Sequence, residues 1–320
     1  MLSRVADSLY WMSRYLERAE HAARVLDVHL NLALDHSADS AKLRWHRILT
    51  CLLPGSVKAG PNETTSTIES LVFNTANRSS IVSCIMAARE NARQVREQIS
   101  SEMWEQLNRL YHDVRRASIE DVRDSQPTEF LTAVRERNYL FQGIADSTMN
   151  HGQGWHFIQL GRYIERACAT ATLLDVHFTD FTRSPDWDTP QGEHLEWVGL
   201  LRSCTAFEAY CKVYTAELRP SRIAEFLLLN EEFPHSVRFS VENIQRALNA
   251  ISSTSPTRKA DRPRKLAGRL AAALTFTQID EVLAGGFHQT LENVQRQCQQ
   301  VHGAVYQIYI AYPIQSALEA

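Results

Sequence analysis

The charged residues best placed to do chemistry occur twice in this chain. Residues 8–30 read SLYWMSRYLERAEHAARVLDVHL, and residues 156–178 read HFIQLGRYIERACATATLLDVHF. At an offset of 148 the two strings share ten identities in 23 positions. Among them are Arg14/Arg162, Tyr15/Tyr163, Glu17/Glu165 and Arg18/Arg166. Asp27/Asp175 and His29/His177 follow in register. At about 100° per residue, Arg14, Arg18, Val25 and His29 fall in a sector of roughly 60° on a helix, with Glu17 about 60° to the other side of Arg14. Leu16, Ala19, Ala23 and Leu26 supply the apolar face.

Exposed ion pairs contribute only about 0–1 kcal/mol, so surface charges need not survive twice. Two readings account for the retained stripe. In one, partly buried Arg–Glu bridges set helix crossings, and loss of one partner costs about 3–5 kcal/mol. In the other, the stripes line a cleft on a pseudo-symmetry axis, with Arg14, Arg18, Arg162 and Arg166 binding carboxylate or phosphate bidentately. Within that cleft, Glu17 or Glu165 has the chemistry of a general base. Tyr15 and Tyr163 complete this candidate set, and His29 and His177 are secondary candidates. Whether the chain is an enzyme stays open, and so does any catalytic assignment.

Other chemistry is sparse. Glu17-x-x-Glu20-His21 resembles a helix-borne carboxylate/His cluster. The second copy has Cys168 and Ala169 instead, and no partner Glu-x-x-His exists, so no metal is expected. Asp27 and His29 lie about 200° apart on a helix and cannot share an ion; the two histidines are expected to bond within the core. There is no Gly-rich phosphate loop, no G-x-S-x-G and no H-E-x-x-H, so no cofactor is expected. Arg258, Lys259, Arg262, Arg264 and Lys265 form a basic cluster that reads as a solvated loop and helix start.

The elements that must hold these residues are helices, and the expected class is all-α. The match between copies continues more weakly through Leu43-x-Trp45/Leu195-x-Trp197 and Ile68/Ile223 with a rising offset. This predicts two tandem, pseudo-two-fold helical repeats, 1–150 and 151–320, within one body, divided near His151-Gly152. Apolar spacing predicts helices over 3–35, 79–100, 102–124, 127–150, 155–181, 192–218, 235–252, 261–284 and 287–311. Ser79-Ser80 reads as an N-cap signal, and 252–265 as the most mobile loop. Trp45 and Trp197 are expected in the core.

Composition agrees. Glycine and proline fill only 22 of 320 positions, about 7%, against a usual ~12%. A net charge of -3 advertises no nucleic-acid or membrane partner. No window of about 18 uncharged apolar residues suggests a membrane span, and the charged N-terminal segment lacks a signal-peptide core. Six cysteines without a C-x-x-C pair read as reduced thiols, and the expected compartment is the cytoplasm.

At YLERAEHAARVLDVHL and YIERACATATLLDVHF the sequence resembles the Alpha-E domain family, a bacterial all-helical family named for its helices and Glu-Arg motif. The resemblance extends to ARENARQVREQISSEMWEQLNRLY at 88–111 and FLLLNEEFPHSVRF at 226–239. The family pattern often has a basic residue before the Ser of the last motif; this chain has His235. The motif carries over to Glu17, Arg18, Glu165 and Arg166. The resemblance implies association with circularly permuted ATP-grasp proteins and transglutaminase-like peptidases. ATP-grasp enzymes join carboxylates to amines through an acyl phosphate. It therefore implies an accessory helical subunit that binds the ligase or its peptide substrate. Enzymatic action on a carboxylate or acyl-phosphate peptide and a purely structural scaffold are the alternatives. A homo-oligomer is left open.

Overall fold

The computed structural model describes residues 1–32, 38–53, 64–118, 127–181, 188, 194–215, 217–253 and 261–311. Every regular element among them is helical, so the protein is all-α. In chain order the α-helices are α1 (Ser3–Leu32), α2 (Ala38–Leu52), α3 (Thr64–Val72), α4 (Ile81–Gln94), α5 (Ser101–Arg116), α6 (Pro127–Thr148) and α7 (Gln153–Phe181). Then come α8 (His194–Ser203), α9 (Phe207–Tyr214), α10 (Pro220–Leu229), α11 (Val237–Ser253), α12 (Asp261–Phe276), α13 (Ile279–Gly285) and α14 (Phe287–Val305).

Two compact bodies result. One is Trp11–His151; the other is Gly152–Ala320 together with Met1–Tyr10. In the first body α5 packs on α4 and on α6, and α6 bonds along α1. Leu16, Ala19, Ala23, Val25 and Leu26 of α1 are all buried, as the apolar stripe requires. In the second body α7 packs on α11 and α14, and α12 packs on the same two helices, closing a four-helix ring. Phe178 (2% exposed) lies in this core, 4.4 Å from the Phe287 ring and 5.1 Å from the Trp197 ring.

The same turn enters α4 and α11. Asn74 Oδ1 accepts the Ala76 N–H (2.9 Å), and Asn230 Oδ1 accepts the Glu232 N–H (3.0 Å). Six residues after each Asn, a serine caps the helix: Ser80 Oγ accepts the Ser83 N–H (3.2 Å) and Ser236 Oγ the Phe239 N–H (3.0 Å). An Asx turn followed by a Ser N-cap satisfies donors that a helix start otherwise leaves bare. Asn74/Asn230 and Ser80/Ser236 align at an offset of 156, one more than the sequence pairing of Val82 with Val237.

Several expected helices are shorter or broken. The 192–218 segment divides into α8 and α9 at Thr205, which adopts φ 53°. The Ala206 N–H reaches Leu201 O (2.7 Å) and the Thr205 N–H reaches Arg202 O (2.9 Å), the two bonds of a Schellman terminus. That terminus usually carries glycine, and a β-branched threonine there hides it from a sequence reading. The 261–284 segment breaks where Gln278 starts α13 with a capping box to Glu281. The 79–100 segment ends its α-helix at Gln94 and closes with a short 3₁₀ turn, Arg96–Gln98. Beyond α14, Tyr306–Ala311 widens into a π-helix. Asp261–Lys265, where the expected loop 252–265 and the expected helix 261–284 overlap, begins α12; residues 254–260 lie outside the described residues, as do Pro54-Gly55, Gly60-Pro61-Asn62, Pro185, Pro190-Gln191-Gly192, 33–35 and 119–124.

Candidate functional site

In the first body the Glu-Arg motif sits on α1 against α6, and the two helices run antiparallel. Arg135 bonds Asp27 at 2.7 Å, Tyr139 Oη donates to Glu20 at 2.9 Å, and Gln142 Nε2 approaches Glu17 at 3.4 Å. Asn138 (0% exposed) donates to Leu16 O at 2.5 Å. Within α1, the Arg24 guanidinium meets Glu20 at 2.5 Å, with side chains 3% and 1% exposed. His21 Nδ1 lies 3.4 Å from the same guanidinium. Arg14 lies over the Trp11 ring at 4.7 Å and Arg18 over the Tyr15 ring at 5.8 Å.

In the second body the motif sits on α7 against the turn that opens α11. Arg166 (3% exposed) donates to Pro234 O at 3.2 Å and stands 5.5 Å over the Tyr163 ring. Arg162 flanks the same ring at 5.4 Å, and Phe239 meets it edge-on at 6.0 Å. One turn along, Thr170 donates to His235 O at 3.1 Å. His235 is itself buried, so the position before Ser236 serves the packing of this turn.

Equal strings thus take unequal burial. In the first copy Glu17 is buried and Arg18 half-buried; in the second, Arg166 is buried and Glu165 half-buried. Arg14, Tyr15 and Arg162 are also half-buried, whereas Tyr163 is buried. Sequence reasoning passes over Arg24, Tyr139 and Asn138, which complete the polar cluster on α1. The signal is faint, because the second copy holds Thr172 where the first holds Arg24. The sequence pattern singles out Glu20 and His21 only as metal ligands; in the structure Glu20 is held by Arg24 and Tyr139, and His21 by Arg24. Among the described residues no three His, Cys, Asp or Glu side chains converge as a metal set.

His177 (1% exposed) hydrogen-bonds Leu173 O through Nδ1 at 3.1 Å, as expected of a core histidine, and His29 is equally buried. Trp197 is buried in the core and Trp45 half-buried. The repeated aspartates tie the first helix of each copy to its last. Asp27 meets Arg135 of α6, and Asp175 meets His288 Nδ1 of α14 at 2.6 Å. Burial pushes the Asp27 carboxyl up against the pull of Arg135. The hydrogen bond and charge of Asp175 raise His288 above its ordinary 6.5.

That histidine gives a direct prediction. Its folded-state value is raised, so the stability from the pair is present below the unfolded value of 6.5 and is lost as pH rises through the folded value. An NMR titration of His288 is expected to show a midpoint above 6.5, and Asp175→Asn to return it toward 6.5. The His288 side chain is 65% exposed, so the effect on global stability is small. A midpoint unmoved by Asp175→Asn would show that the contact is not formed in solution.

These features define an all-helical protein whose charged motifs sit on the first helix of each of two chain segments. The chain belongs to the Alpha-E family, described as a predicted alpha-helical domain with a conserved ER motif; the family match covers residues 1–310. Uncharacterized proteins of Mycobacterium bovis and Mycobacterium tuberculosis are similar to it, each 22% identical over 312 residues, 90% of this chain and 34% of theirs. The chain therefore spans about a third of the length of these curated relatives. No solved structure matches. Among the described residues, no helix is long and apolar enough to cross a membrane.

Proposed function

We propose that this chain is the helical partner of an amide-bond-forming system, binding a circularly permuted ATP-grasp ligase or the peptide that ligase modifies. One observation carries the reading. In the mycobacterial relatives the matched stretch occupies 34% of a longer chain, so there the same helical domain is joined to further sequence. A domain that recurs fused to larger chains fits a role exerted on a neighbouring module. The half-buried Arg14, Tyr15, Arg18, Arg162 and Glu165 are the members of the two motifs that keep some surface exposed toward such a partner. The repeated helix-entry turn at Asn74–Ser80 and Asn230–Ser236 supports tandem duplication as the origin of the two motifs.

A second reading, a structural role, draws on the burial of Glu17 and Arg166. Co-purification with the ATP-grasp protein of the same organism separates the two. A partner role predicts a complex by light scattering and greater ATP-dependent amide formation. It also predicts that Arg18→Ala and Arg162→Ala weaken the complex with little change in Tm. No complex and no change in ligase output would overturn the proposal. Loss of Tm in both variants with full ligase output would favour the structural role.

A further inference from the structure

The second body holds a pocket of about 390 Å³ lined by Tyr214, Glu225, Leu229, Asn230, Arg238 and residues 277–280. Its size falls within the range of small-molecule and side-chain sites. Tyr214 Oη donates to Glu225 Oε2 at 2.9 Å, which leaves the other carboxylate oxygen of Glu225 able to accept. Asp280, in the first turn of α13, adds a second carboxylate at the exposed side. Among the described residues neither Glu225 nor Asp280 pairs with a cation.

Arg238, the pocket's basic residue, has its nitrogens engaged. Nε reaches Glu242 at 3.0 Å, one terminal nitrogen reaches Glu231 at 2.5 Å, and the other approaches Leu229 O at 3.4 Å. Its charge is thereby met by Glu231 and by Glu242, which Arg246 shares at 3.5 Å, before any ligand arrives. Asn230 Oδ1 is likewise taken, by the Glu232 and Phe233 N–H groups. Among the charged groups of the lining, the pocket still offers the second carboxylate oxygen of Glu225 and the Asp280 carboxylate, flanked by the apolar stems of Leu229 and Ile279.

We infer that this pocket binds an aliphatic primary ammonium, its stem along Leu229 and Ile279 and its charge on Glu225 and Asp280. The inference is independent of the ligase reading above, because it concerns a different site and is tested on the purified protein. Two sources carry this chemistry, a lysine side chain in a peptide and a free diamine.

Calorimetric titration distinguishes the outcomes. Nα-acetyl-lysine methylamide is expected to bind at least tenfold more tightly than its norleucine counterpart, which has the same stem without charge. Glu225→Gln keeps an acceptor for Tyr214 and is expected to weaken lysine binding at least tenfold. Asp280→Asn, at an exposed position, is expected to weaken it about threefold with Tm unchanged. Tighter binding of a lysine-containing peptide than of 1,5-diaminopentane assigns a protein side chain; the reverse order assigns a free amine. Equal binding of the lysine and norleucine derivatives would overturn the inference. So would unchanged binding in Glu225→Gln, or tighter binding of the acetylated glutamate analogue.

Discussion

Arg24→Ala is expected to destabilise the protein by about 3–5 kcal/mol and to lower Tm by roughly 10 °C. Arg24 and Glu20 are 3% and 1% exposed, so removing the guanidinium leaves a carboxylate in a medium that solvates it poorly. Only the Tyr139 hydroxyl at 2.9 Å remains as its described partner, and one neutral donor does not replace a cation. The physical claim is that the cost lies in the stranded charge and not in a large net gain from the pair. It follows that Glu20→Met combined with Arg24→Leu recovers most of the lost stability, because both charges then leave together. Thermal and urea melts of the two variants measure this. A single variant within about 1 kcal/mol of the parent would mean that water reaches Glu20. A double variant as unstable as the single one would mean that the pair and Tyr139 hold α1 against α6 by directional bonding.

The second large effect concerns packing alone. Phe178→Ala is expected to cost about 3–5 kcal/mol, the transfer energy of the ring plus the cavity it leaves. Phe178 is 2% exposed and lies between Trp197 of α8 and Phe287 of α14, so three helices lose a shared contact. Phe178→Leu restores much of the volume and is expected to cost less than half as much. The His288 titration should still show its raised midpoint in Phe178→Leu, because the Asp175 contact does not depend on the ring. If Phe178→Ala unfolds with the parent's midpoint in urea, the aromatic cluster is not part of the cooperative core.

Helical class and the positions of the charged motifs are legible in the amino-acid sequence alone. Few glycines and prolines, apolar residues at helical spacing and a repeated 23-residue string depend only on local geometry, and α1 and α7 carry them as expected. The N-cap at Ser80 is legible for the same reason, since a serine side chain bonds its own helix start. Helix ends without a glycine are not. Thr205 adopts a left-handed conformation because two backbone bonds close around it, a constraint that its residue type conceals.

The fates of the two Glu-Arg motifs are equally invisible in the sequence. YLERA and YIERA are nearly the same string, yet the structure buries Glu17 in one and Arg166 in the other. Burial of a side chain depends on what the opposing element presents. For α1 that element is α6, which brings Tyr139, Asn138 and Gln142; for α7 it is the turn before α11, which brings the Pro234 and His235 carbonyls. Helical periodicity tells which residues share a face, because that follows from bonds within the chain segment. It carries no information about the chemistry of the partner face, contributed by residues 65 to 125 positions away. That partner sets the desolvation and hydrogen bonding that turn one charged motif into two different environments.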